Sequence, residues 1–92
     1  MIESVHRNII VTGRVQGVFF RASTVNRAHE LGIKGFVKNR LDGTVYIEAE
    51  APQDQLKVFI DWCHEGPVYA HVESVHTSEG KLVGYKDFAL RR

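Results

Sequence analysis

Apolar positions along the chain follow two periods, and the switches between them mark the elements. Residues 8–12, Asn-Ile-Ile-Val-Thr, are mostly β-branched and run into Gly13, which predicts a buried strand. A loop follows over 14–20. From Arg21 to Leu31 the spacing turns helical, with Ala22, Val25, Ala28 and Leu31 on one face and Gly32 at the helix stop. Residues 34–40 and 43–50 read as strands. In the second, Val45, Ile47 and Ala49 share one face and Tyr46, Glu48 and Glu50 the other. Arg40-Leu41-Asp42-Gly43 between them is a tight hairpin signal. Pro52 opens a second helix, with Asp54 in its first turn and Leu56, Phe59, Ile60 and Cys63 on its apolar face. Gly66-Pro67 stops it. A fourth strand is expected over 68–77, where the offset between Ala70, Val72 and Val75 points to a bulge, and a last short one over 88–90.

The order βαββαβ with a small C-terminal strand predicts an α+β sandwich of the ferredoxin-like kind: an antiparallel sheet with both helices on one face. With 92 residues the chain is expected to form one domain, 1–92. That arrangement hosts many functions, so function has to come from a site. Composition narrows the classes. Hydrophobic residues at 43% and charged residues at 25% exclude a disordered chain. Twelve basic residues against eleven acidic ones lack the excess of a nucleic-acid module. A single cysteine, Cys63, cannot form an intrachain disulfide, and no apolar run reaches the length of a signal core or membrane span. These features predict a soluble, cytoplasmic protein; nothing in them requires a dimer, and a monomer is expected.

The chemistry concentrates in Gly13-Arg14-Val15-Gln16-Gly17-Val18-Phe19-Phe20-Arg21, between a strand and a helix N-terminus. Glycines let a short loop turn successive N–H groups toward one point, and the positive end of the helix adds to that concavity. Arg21 brings a planar fork suited to phosphate oxygens. On spacing alone, a plain strand-to-helix turn with Arg21 in solvent is the stronger reading. No Gly-Lys-Ser/Thr follows, so this is not a Walker motif. Asn39, at the end of the second strand, has the parity of Val37 and shares its face. A carboxamide holds both donor and acceptor and can orient a water. Taken alone, Asn39 reads more strongly as turn chemistry.

Together these segments resemble the acylphosphatase family. Residues 13–21 match its signature G-x-V-Q-G-V-x-F-R, and Gly35-Phe36-Val37-Lys38-Asn39 with Asp42-Gly43 match its second, G-x-V-x-N-x-x-D-G. The resemblance covers nearly the whole chain, including Trp62 and Gly66-Pro67. The C-terminal third matches more loosely: the chain ends Arg91-Arg92, where many relatives place an aromatic residue after an arginine. The resemblance implies hydrolysis of the carboxyl–phosphate bond of small acyl phosphates, without metal or cofactor. It implies that Arg21 binds the phosphoryl group and that the backbone amides of Val15, Gln16, Gly17, Val18, Phe19 and Phe20 surround its oxygens. Asn39 would orient the attacking water. Inorganic phosphate and sulfate are then expected to compete.

Other readings are weaker. The five histidines, His6, His29, His64, His71 and His76, show no helical metal-ligand spacing and read as surface or packing residues. Cys63 has no arginine shortly after it, as a cysteine phosphatase requires, and lies on an apolar helix face. An RNA-recognition domain shares the element order, but Tyr46 is flanked on its strand face by Glu48 and Glu50, which repel RNA. Similar domains open hydrogenase-maturation proteins that use carbamoyl phosphate; a chain ending at Arg92 favours a stand-alone enzyme.

Overall fold

The computed structural model describes residues 3–92; Met1 and Ile2 lie outside the described residues. The elements are β1 (Ser4–Arg14), α1 (Phe20–Leu31), β2 (Lys34–Asn39), β3 (Val45–Pro52), α2 (Gln53–Glu65), β4 (His71–Gly80) and β5 (Phe88–Arg91). The sheet order is β4-β1-β3-β2-β5. The first four strands pair antiparallel, as the βαββαβ order predicts. The extra strand β5 joins parallel to β2, with Gly35 opposite Phe88, so the complete sheet is mixed.

One face of the sheet supplies the core. Ile9 and Val11 on β1, Val37 on β2, and Val45, Ile47, Ala49 and Ala51 on β3 are buried beneath the helices. From α2 come Leu56, Phe59 and Cys63, the stripe its periodicity predicts. Burying each large apolar side chain contributes about 1.5–3 kcal/mol. Burial also pushes the Cys63 thiol up to about 12, which makes it a core residue and not a nucleophile.

Helix α1 turns most of the expected face inward: Ala28 is buried, and Val25 and Leu31 pack against the core. Ala22 is exposed, and Phe20, Thr24 and Ala28 are buried at four-residue spacing. Thr24 is admitted because its hydroxyl donates to the Phe20 carbonyl at 2.7 Å, so no polar group is stranded. The bulge foreseen in β4 is present: Thr12 pairs with Ser74 and Gly13 with Val72, leaving Glu73 as the extra residue. That strand begins at His71, not at 68. Val68 and Tyr69 lie exposed in a turn closed by Ala70 N–H donating to the Pro67 carbonyl at 3.0 Å. β1 is also longer than expected, because residues 4–7 continue the ladder against 49–52.

Candidate active site

The segment between β1 and α1 is shaped by its backbone. Gly13 has φ 117°, and a Cβ there would run into the His71 carbonyl on β4. Gly17 has φ 73°. Both conformations resist any residue with a side chain. Between and after them, Val15, Val18 and Phe20 are buried, and Phe20 packs against Trp62 with ring centroids 5.6 Å apart. The loop is therefore anchored by every apolar side chain it can turn inward.

Phe19 is the exception. It is the only non-glycine residue with positive φ among the described residues, at φ 65° and ψ 22°, and it is 73% exposed. A bulky residue in this region costs about 1–2 kcal/mol, and burial returns almost nothing here. Phe19 is also the residue preceding helix α1, and no side chain caps that helix end. Among the described residues, no backbone hydrogen bond outside the helices and strands is donated from 15–20. Uncapped first-turn N–H groups concentrate partial positive charge. No acidic residue lies in the first turn of α1; Arg21 does.

Asn39 ends β2 on the helix-facing side, with the parity of buried Val37. Its Oδ1 is buried and has no hydrogen-bond partner among the described residues. A buried orphan acceptor costs about 1–3 kcal/mol, so its retention calls for a reason. The following hairpin is built independently of it. Gly43 N–H donates to the Arg40 carbonyl, and the Asp42 carboxylate accepts from the Thr44 hydroxyl at 2.7 Å and amide at 3.0 Å. These two bonds hold the Asp42 carboxyl below the usual carboxylate range. Turn chemistry thus resides in Asp42 and Thr44, which leaves Asn39 free of that duty.

Loop, helix start and strand end converge on one cavity of about 260 Å³, lined by Val15, Gly17, Phe19, Phe20, Arg21, Ala22, Asn39 and Leu90. No carboxylate is among the lining residues. Six of the residues singled out by sequence meet there. The side chains of the other two turn elsewhere. Val18 enters the core, and Gln16 Nε2 donates to the Arg40 carbonyl at 2.7 Å and the Thr44 carbonyl at 2.9 Å, tying the loop to the β2–β3 hairpin. Neither that staple nor the contribution of β5 is signalled by any local pattern in the sequence. Leu90 lines the cavity, and the Arg91 carbonyl accepts from Arg21 Nη1 at 3.1 Å. One bond fixes the guanidinium and leaves its other N–H groups available.

The cavity joins an arginine fork, an unneutralised helix N-terminus and an unpartnered carboxamide. The family model described as Acylphosphatase matches residues 7–90. The chain belongs to the acylphosphatase family. It is 50% identical over 72 residues to the acylphosphatase of Marinobacter nauticus, covering 78% of each chain. It is 43% identical over 84 residues to that of a Nocardioides species, covering 91% of this chain and 85% of that one. Among solved structures, an acylphosphatase from Coxiella burnetii superposes with a TM-score of 0.94 at 37% identity, over 97% of this chain and 94% of that chain. The acylphosphatase fold is thus the βαββαβ sandwich described above, and the cavity lies where both family signatures meet.

Proposed function

We propose that this cavity holds the phosphoryl group of an acyl phosphate, with Arg21 and the amides of Val15 to Phe20 on its oxygens and Asn39 on the attacking water. Family membership makes the chain a hydrolase acting on acyl phosphates. Phosphoryl transfer asks a protein for position and charge stabilisation more than for covalent chemistry. The site supplies both: fixed positive donors around the oxygens, and a carboxamide to aim the water. The leaving carboxylate is stable as an anion and needs little acid assistance.

The observation that carries the reading is the buried, unpartnered Asn39 oxygen lining the same cavity as Arg21. The test is hydrolysis of acetyl phosphate beside a phosphate monoester such as p-nitrophenyl phosphate, with and without EDTA. The reading expects acetyl phosphate to be cleaved far faster, with turnover unchanged by the chelator and competitively inhibited by inorganic phosphate or sulfate. Equal rates on both substrates, or activity lost in EDTA and restored by metal, would defeat it. A single 1–92 domain acting as a cytoplasmic monomer completes the proposal; sedimentation of the purified protein checks the monomer.

A further inference from the structure

The helix-free face of the sheet carries a buried ionic cluster that the phosphoryl chemistry does not use. His6 on β1 and its register partner Glu50 on β3 are each 4% exposed. Burying charges is costly unless they are paired and hydrogen-bonded. Here the pairing is dense. His6 Nδ1 lies 2.6 Å from Glu50 Oε2, and Nε2 lies 2.8 Å from Asn8 Oδ1 and 3.4 Å from Glu48 Oε1. Both ring nitrogens therefore face acceptors. A neutral imidazole has one N–H, so its other nitrogen would press a lone pair against oxygen. With the Asn8 amide oriented with its oxygen toward the ring, the imidazolium is the form that satisfies both sides.

Glu50 also grips the segment 81–87, which crosses this face from β4 at one edge of the sheet to β5 at the other. Its carboxylate accepts from the N–H groups of Val83 at 2.6 Å, Gly84 at 3.0 Å and Tyr85 at 3.2 Å. The Tyr85 hydroxyl donates to Glu48 Oε1 at 2.6 Å. The segment runs directly into β5, which supplies Leu90 to the cavity and the Arg91 carbonyl to Arg21. We infer that His6 and Glu50 are positioning residues: an ionic lock that holds this strap and, through β5, sets the Arg21 guanidinium. The inference rests on Arg21 being the phosphoryl ligand.

The groups facing the His6 ring are Glu50 and Glu48 from β3, Tyr85 from the strap, Asn8 on its own strand and Gly80 at the end of β4. Arg7 pairs instead with Glu79 and the His6 carbonyl. Burial opposes the charged ring, but the hydrogen bonds to Glu50 and Asn8 and the charges of Glu50 and Glu48 outweigh it, so His6 titrates above 6.5. For Glu48 and Glu50 burial is likewise outweighed, by the donors around them, and both titrate below 4.5. A raised histidine stabilises the fold below its unfolded value and ceases to as pH rises through its folded one. The lowered carboxylates stabilise above about 4.5 and cease to as pH falls through theirs. The lock is closed between those limits and loosens on the alkaline side.

Sulfate does not titrate across this range, so it reports the protein alone. Sulfate affinity and acetyl phosphate kinetics are measured from pH 5.5 to 9 on the wild type, His6→Gln and Glu50→Gln, with thermal melting alongside. In the wild type, sulfate Kd and KM should rise together by about 5-fold or more along a limb centred above 6.5. Both variants should lose that limb and sit at the weaker affinity throughout. A variant that melts earlier yet keeps the wild-type limb would make the cluster structural only and overturn the inference. Direct observation of the His6 ring by nitrogen NMR guards against a variant that does not fold; a neutral ring at pH 6 would overturn it too. Sulfate binding also separates the two readings. Wild type that binds sulfate with the limb but cleaves no acyl phosphate rejects the proposed reaction and keeps the lock. Unchanged sulfate affinity in Arg21→Ala rejects Arg21 as the ligand, and with it the lock's route to the site.

Discussion

The two helices begin in opposite ways. α2 follows Pro52, which has no N–H to leave unpaired, and carries Asp54 in its first turn. α1 follows a strained Phe19, has no first-turn acid, and puts Arg21 where an acid would stabilise it; neither helix has a side-chain cap. A charge of the favourable sign at a helix end contributes about 0.3–1 kcal/mol, and one of the wrong sign costs a similar amount. α2 is thus arranged as an isolated helix would prefer, and α1 is not. The helix start left positively charged is the one that opens on the cavity, and under the proposed function the substrate's phosphoryl group would supply the charge the chain withholds.

The sharpest way to break that comparison is at Arg21. Lysine keeps the charge but loses the planar fork. Arg21→Lys should lower kcat/KM by about 10²–10³-fold, the range for removing one well-placed donor from a developing oxyanion, and Arg21→Ala at least as much. Both should melt close to the wild type, because the cation opposes the helix dipole. Near-normal turnover in Arg21→Lys would mean that charge alone suffices.

Asn39 tests the chemistry apart from the binding. Asn39→Ala should lower kcat by roughly 10²-fold through misplacement of the water. Sulfate affinity should change little, since Arg21 and the loop amides remain. The hairpin is held by Asp42, Thr44 and Gln16, so the melting temperature should hold as well. A destabilised Asn39→Ala with wild-type kcat per folded molecule would reject the water-positioning role.

The contrast between the helices also explains what could be read from the chain. α2 was legible because Leu56, Phe59 and Cys63 are apolar at helical spacing, so local pattern and burial coincide. The β4 bulge was legible from the offset of Val72 and Val75. In α1, Val25, Ala28 and Leu31 were legible; Thr24 was not, because its hydroxyl is satisfied within the helix, and Ala22 departs from the expected face because it tolerates solvent. His6 read as a surface or packing residue, and Glu50 only as lying on the face opposite Val45, Ile47 and Ala49. Their burial depends on each other across 44 positions and on the strap amides, and no window of sequence contains both. At the site, the loop and Asn39 were visible through their family signatures. The parts brought by tertiary contact, the Gln16 staple and the Arg91 carbonyl, were not.

A third experiment makes α1 resemble α2. Ala22 is exposed, lies in the first turn and lines the cavity. Ala22→Asp should stabilise the helix start by about 0.3–1 kcal/mol and at the same time repel the incoming anion. Sulfate affinity should weaken about tenfold, which corresponds to roughly 1.4 kcal/mol. A protein that gains stability while losing affinity would show that the two demands conflict at this helix. Unchanged sulfate binding would mean that the helix end takes no part in holding the anion.

The smallest effect belongs to the reciprocal change, Asp54→Asn at the start of α2. Asparagine keeps the size and hydrogen-bonding capacity of the side chain and removes only its charge. Asp54 is exposed, so salt screens its interaction with the dipole and the loss should fall near the low end of the 0.3–1 kcal/mol range. For a chain of this length that is a drop of a few degrees in Tm at most, larger at low ionic strength than at 0.5 M salt. Turnover and sulfate affinity should match the wild type, because α2 contributes no residue to the cavity. The measurement is a pair of melting curves at the two salt concentrations with steady-state kinetics on the same samples. A change in kcat or sulfate affinity with Tm intact would show that the charge at α2 is felt at the cavity, and would remove the independence of the two helix ends on which the comparison stands.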